Sequence, residues 1–226
     1  MRALSRRRTA AAGAVATVAI AAVGALHLPG ARRLLGAIGL PCPVLQTDPA
    51  AVEAAHASGL AALRGQAPAP ARPALGLQLD RSTEAEAGAW ARARHLDCVT
   101  LVRGYRYLRC RGVDAKALGE AGPPVSELWL SFGAQGRLIG VNVYRRGLDA
   151  AGERQAWGDA TGRLRERLGA PPFESGDPAP AALQGAALRT ARVQYRYTDY
   201  AATVTAAWLP YAGLAVREQY LSARAD

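Results

Sequence analysis

Apolar and polar residues alternate in short runs through the second half of the chain. In "SELWLSF", residues 126–132, Leu128, Leu130 and Phe132 alternate with mostly polar neighbours; in "RLIGVNVYRR", 137–146, Ile139, Val141 and Val143 do the same. A period of two is that of a strand with one buried face, and Gly133 to Gly136 predicts the turn between them. Three more runs follow: "TARVQYRYT" from 190, "ATVTAAWL" from 202 and "LAVREQYL" from 214. Val193 and Tyr195, then Val204, Ala206 and Trp208, then Val216 and Tyr220 continue a buried line. Arg192, Arg196, Thr203, Thr205, Arg217 and Gln219 fall on the opposite, polar side. Glu218 is the exception, a carboxylate on the apolar side, and the expectation is that an arginine pairs with it.

A period near 3.6 appears before each set of strands. Thr83-x-x-Glu86 is a capping box opening a helix that carries Trp90. Trp157, Ala160, Leu164 and Leu168 form one stripe of a second helix over 153–172, stopped by Gly169 and Pro171. The order helix, then antiparallel meander, therefore occurs twice. The predicted fold class is α+β, with units at 75–148 and 149–226.

Cysteine placement sharpens the first unit. With strands at Cys98–Val102 and Arg106–Arg111 joined by Arg103-Gly104-Tyr105, position 98 falls directly opposite 110. Directly opposed side chains are close enough to bridge, so a Cys98–Cys110 disulfide is predicted, with two buried free thiols as the alternative. A disulfide requires an oxidising compartment.

The amino-terminal pattern bears on that compartment. Arg2, Arg6, Arg7 and Arg8 precede residues 9–28, which carry no formal charge when His27 is neutral. Such a segment reads as a single-span signal-anchor with a cytoplasmic amino terminus, or as a signal peptide cleaved near Val23-Gly24-Ala25; both readings cover residues 1–33. "SRRRTA" resembles a twin-arginine export signal, although Thr9 stands where a large apolar residue is usual. Cys42 follows Pro41 and so lacks the small residue that precedes a lipidated cysteine. Residues 34–74 read as a juxtamembrane helix, capped by Asp48, followed by a Pro/Ala spacer over 66–74.

The net charge of +10 across 226 residues suggests nucleic acid only until its distribution is considered. Six arginines precede the first acidic residue, Asp48; beyond it arginines and carboxylates intersperse as on a solvated surface. No nucleic-acid partner is expected. His27, His56 and His95 lie in separate segments, and Glu53 with His56 lacks the carboxylate-bearing partner helices of a di-metal site. No nucleophile elbow, zinc helix or phosphate loop occurs, so no catalytic residue, metal or cofactor is assigned.

The capped helix "STEAEAGAWARARH", the helix end "RLGAPP" and the strand pair "ELWLSFGAQGRLIGVNVYR" together resemble a known arrangement. It is the helix-plus-meander domain, in tandem, of the small lipoprotein subunit of the outer-membrane β-barrel assembly machinery and of β-lactamase-inhibitory protein. The resemblance covers residues 75–223. It implies non-catalytic protein binding in the cell envelope. The reading is thus a membrane-tethered domain outside the cytoplasm that binds another envelope protein through a sheet face or edge. The alternative is an envelope hydrolase whose site is assembled from distant residues.

Overall fold

The structure, a computed structural model, describes residues 58–59, 61, 64–185 and 189–224. The expected anchor over 1–33, the Asp48-capped helix start and Cys42 lie outside them. No helix among the described residues is long and apolar enough to cross a membrane.

Eight strands form one antiparallel sheet: β1 (Cys98–Arg103), β2 (Tyr105–Val113), β3 (Val125–Phe132), β4 (Leu138–Leu148), β5 (Phe173–Ser175), β6 (Thr190–Arg196), β7 (Tyr200–Leu209) and β8 (Gly213–Ser222). Their spatial order is β1-β2-β3-β4-β8-β7-β6-β5. Each half of the chain is a meander, and the last strands of the two halves pair, from Gly140 opposite Leu221 to Leu148 opposite Leu214. The fold is α+β, with both halves sharing one sheet.

Three helices accompany the strands: α1 (Glu84–Arg92), α2 (Ala150–Leu168) and α3 (Pro180–Gln184). The capping box at α1 is formed, with the Glu86 amide donating to Thr83 Oγ1 at 3.2 Å and the Thr83 amide to Glu86 Oε2 at 2.7 Å. Asp149 caps α2, accepting from the Gly152 amide at 2.7 Å. Helix α2 thus begins three residues before the expected start at 153, because a short acid at the N-cap satisfies an otherwise orphaned amide.

One face of the sheet carries the core. Leu128, Leu130, Phe132, Val141, Val143, Val204 and Val216 are buried there under Ala156, Ala160 and Leu164 of α2, Ala87 and Ala91 of α1, and Leu183 of α3. Each fully buried Leu or Phe contributes about 1.5–3 kcal/mol, so the apolar line holds the helices to the strands. The Cys98–Cys110 disulfide is formed in the expected register, with Cα atoms 4.0 Å apart. The turn is tighter than expected, reducing to Gly104 between paired Arg103 and Tyr105. Gly104 adopts φ of 72°, open to glycine without strain.

Two further differences have local causes. The β3–β4 register slips between Ser131 opposite Gly140 and Phe132 opposite Leu138, so Leu138 joins Ile139 in burial. A bulge of this kind adds one residue to one strand and breaks strict alternation. The second concerns the Pro/Ala stretch, expected as a semi-rigid linker ahead of a fold starting near Leu75; its backbone is hydrogen-bonded to the second half of the chain. The Gly65 amide donates to Tyr197 O, the Thr198 amide to Ala67 O, the Ala69 amide to Asp199 Oδ1 and the Tyr200 hydroxyl to Pro73 O. These bonds tie residues 65–73 to the β6–β7 turn.

Candidate functional site: the open face of the sheet

The sheet face opposite the core is built by the second half of each alternation. Cross-strand register aligns its residues in rows. One row runs Val99, Arg109, Trp129, Asn142, Gln219, Thr203, Gln194, Phe173 across all eight strands. The next runs Arg111, Glu127, Tyr144, Arg217, Thr205, Arg192, Ser175. No described helix packs on this face, since Ala87 and Ala91 of α1, Ala156, Ala160 and Leu164 of α2 and Leu183 of α3 belong to the core on the other side.

The six polar residues read from the alternation all fall here. Arg192, Thr205 and Arg217 share the second row, Thr203 and Gln219 the first, and Arg196 lies one row further, opposite Ala201. Their side chains are partly tied to one another and to their neighbours. Arg196 donates to Gln194 Oε1 from Nε at 2.9 Å and Nη2 at 2.7 Å, and Gln194 Nε2 donates to Thr203 Oγ1 at 3.3 Å. Arg217 donates to Asn142 Oδ1 at 3.2 and 2.7 Å.

The other half of the face is chemically different, and the sequence reading did not assign it. Tyr107 meets Trp129 edge-on, with ring centroids 5.7 Å apart, and Tyr105 meets Tyr107 likewise at 6.4 Å. The Arg109 guanidinium lies over the Trp129 ring at 4.9 Å; those of Arg146 and Arg217 lie over Tyr144 at 4.9 and 5.3 Å. Glu127 is the acid among them. It accepts from Arg109 and from Trp129 Nε1, and Arg111 and Arg146 stand 3.8 and 3.9 Å away. Burial alone would raise its carboxyl pKa, but the bonds from Arg109 and Trp129 and the neighbouring arginines hold it below the ordinary value. The available signal was an aromatic residue at a polar phase of a strand, Trp129 and Tyr144; the pairing with arginine needed the register.

Comparison with family models, with curated proteins and with solved structures found no match to this chain. Its chemistry therefore rests on its own side chains.

A second polar cluster lies on the core side. Arg145 of β4 bridges Glu120 and Glu218, and Arg163 of α2 stands 2.9 Å from Glu120 Oε1 and 2.8 Å from Glu218 Oε2. The Tyr220 hydroxyl also donates to Glu218. Glu218 is thus paired as expected, with two arginines. Burial and the nearby Glu218 charge push the Glu120 carboxyl up, against the pull of Arg163 and Arg145. A cleft of about 260 Å³ opens beside the cluster, lined by Leu75, Leu118, Arg163, Arg167 and Tyr220 among others. All four carboxylate oxygens already face a guanidinium, so the cluster binds β4, β8, α2 and the segment at Glu120 together. Among the described residues, no group of His, Cys, Asp and Glu is arranged to hold a metal ion.

Proposed function

We propose that this chain is an envelope domain, tethered to the membrane through its amino terminus, that binds another protein through the open face of its sheet. The observation that carries the reading is the face itself. Eight strands align rows of arginine, amide, hydroxyl and aromatic groups on a surface that no described helix covers. Broad faces with aromatic and arginine residues are suited to protein partners, whereas a substrate site needs convergent groups in a concavity. The likeness in element order to the tandem helix-plus-meander binders supports the same reading, as does a disulfide that requires an oxidising compartment.

The test is crosslinking in intact cells with the full chain as bait. Arg196→Glu with Arg217→Glu is expected to abolish capture while the thermal unfolding midpoint stays nearly unchanged, since both side chains sit on the open face. Unchanged capture would remove the face from consideration. A reporter fused after Asp226 is expected to be active outside the cytoplasm; activity of a cytoplasm-only reporter there would defeat the tethered topology.

A further inference from the structure

We infer that the partner presents an acidic, carboxylate-bearing segment, and that the half of the open face formed by β2, β3, β4 and β8 reads it. The inference rests on the reading of the open face as a protein-binding surface and deepens it. Charge is the first argument. Arg109, Arg111, Arg146 and Arg217 share this half with one acid, Glu127, and Arg109, Arg111 and Arg146 already surround it. Arg217 donates to the neutral amide of Asn142. This half thus keeps an excess of positive charge that its own acid does not balance, and it is complementary to anions.

The second argument selects among anions. Nucleobases and sugars bind sheet faces by stacking on exposed aromatic rings. Here guanidiniums lie over the rings of Trp129 and Tyr144. A stacking ligand would have to displace the cations that the rings already hold. A carboxylate has no such conflict, because it accepts from the N–H edge of a guanidinium whose flat face stays on the ring. The rings also restrict the arginines before binding, which lowers the entropy lost on contact. The β6–β7 part of the face has no such rings beneath its arginines; Arg196 is held by Gln194 instead.

The experiment titrates the full chain, purified in neutral detergent, with a labelled oligoglutamate peptide and separately with an oligouridylate of equal charge. Arg146→Gln with Arg217→Gln is expected to weaken the peptide by about tenfold or more, and Arg192→Gln with Arg196→Gln by less than about threefold. Arg217→Lys, which keeps the charge and loses the planar stack, is expected to lie between wild type and the double variant. Thermal melts check that each variant is folded. Absent peptide binding, a loss carried by the β6 pair, or uridylate binding as tightly through the same residues would each overturn the inference. The protein-binding reading would survive those results if the crosslinking capture still depended on the face. Capture indifferent to both arginine pairs would instead defeat that reading.

Discussion

Strand β4 carries an arginine–glutamate cluster on each of its faces, and the two differ in what they do. On the core side Arg145 is 3% exposed and is shared between Glu120 and Glu218, themselves nearly or fully buried. On the open side Arg146 is 42% exposed and only approaches Glu127, while its flat face rests near Tyr144. Adjacent residues of one type thus serve opposite ends. A buried charge must be fully matched, because water is not there to replace a missing partner. An exposed one tolerates incomplete matching and keeps capacity for an outside anion.

The comparison can be broken most severely at Arg145. Arg145→Ala leaves Glu120 and Glu218 with Arg163 alone, and a loss of about 3–5 kcal/mol is expected in chemical denaturation. Converting Arg145, Glu120 and Glu218 together to apolar residues of similar volume should restore much of it. If the single variant is as stable as wild type, the cluster is not matched in the way described.

Glu153 sharpens the contrast, since it is a buried carboxylate on α2 with no hydrogen-bond partner on either oxygen among the described residues. Burial raises its pKa, with a smaller opposing pull from Arg154. The folded state therefore holds the proton more tightly than the unfolded one. Its stabilising contribution is complete below the ordinary carboxyl range and is lost as pH rises through the raised value. Glu153→Gln, which has no proton to lose, is expected to be more stable than wild type at neutral pH by about 1 kcal/mol or more. The difference should shrink towards pH 4, and a pH series of denaturation midpoints would show a flat difference if Glu153 has an unseen partner.

The smallest effect is expected at Glu127→Gln. The carboxyl pKa is lowered, so the contribution is present above the ordinary carboxyl range and fades as pH falls through the lowered value. A half-shielded pair of this kind is worth about 1 kcal/mol or less. Added salt should reduce the difference further, and a loss as large as that at Arg145 would erase the distinction between the two faces.

The strands were legible because each buries one side and so alternates, and Cys98 opposite Cys110 followed from counting outward from one turn. Glu218 was legible as a misfit on an apolar face. Strand β5 was not, since Phe173–Ser175 is three exposed residues, too short to show a period. The fastening of residues 65–73 was hidden because it runs mainly through backbone groups, which composition does not encode. The close approach at Gly65, where a Cβ would stand 2.1 Å from Arg196 O, has the same cause. The aromatic and arginine half was missed because Tyr144 and Arg217 lie more than seventy residues apart and meet only across the β4–β8 ladder.

That ladder also sets an order of events. Strand β4 is complete once residue 148 has emerged, yet its neighbour β8 begins only at Gly213. During synthesis, β4 therefore waits as an unpaired edge while α2 and three more strands appear. An apolar strand left open in this way is a template for pairing with another copy. Arg145 sits on the apolar side of the waiting strand, where Glu120, which precedes β4 in the chain, supplies one of its two carboxylates. Glu218 supplies the second carboxylate from β8, so the arginine is fully matched only once the last strand has closed the sheet.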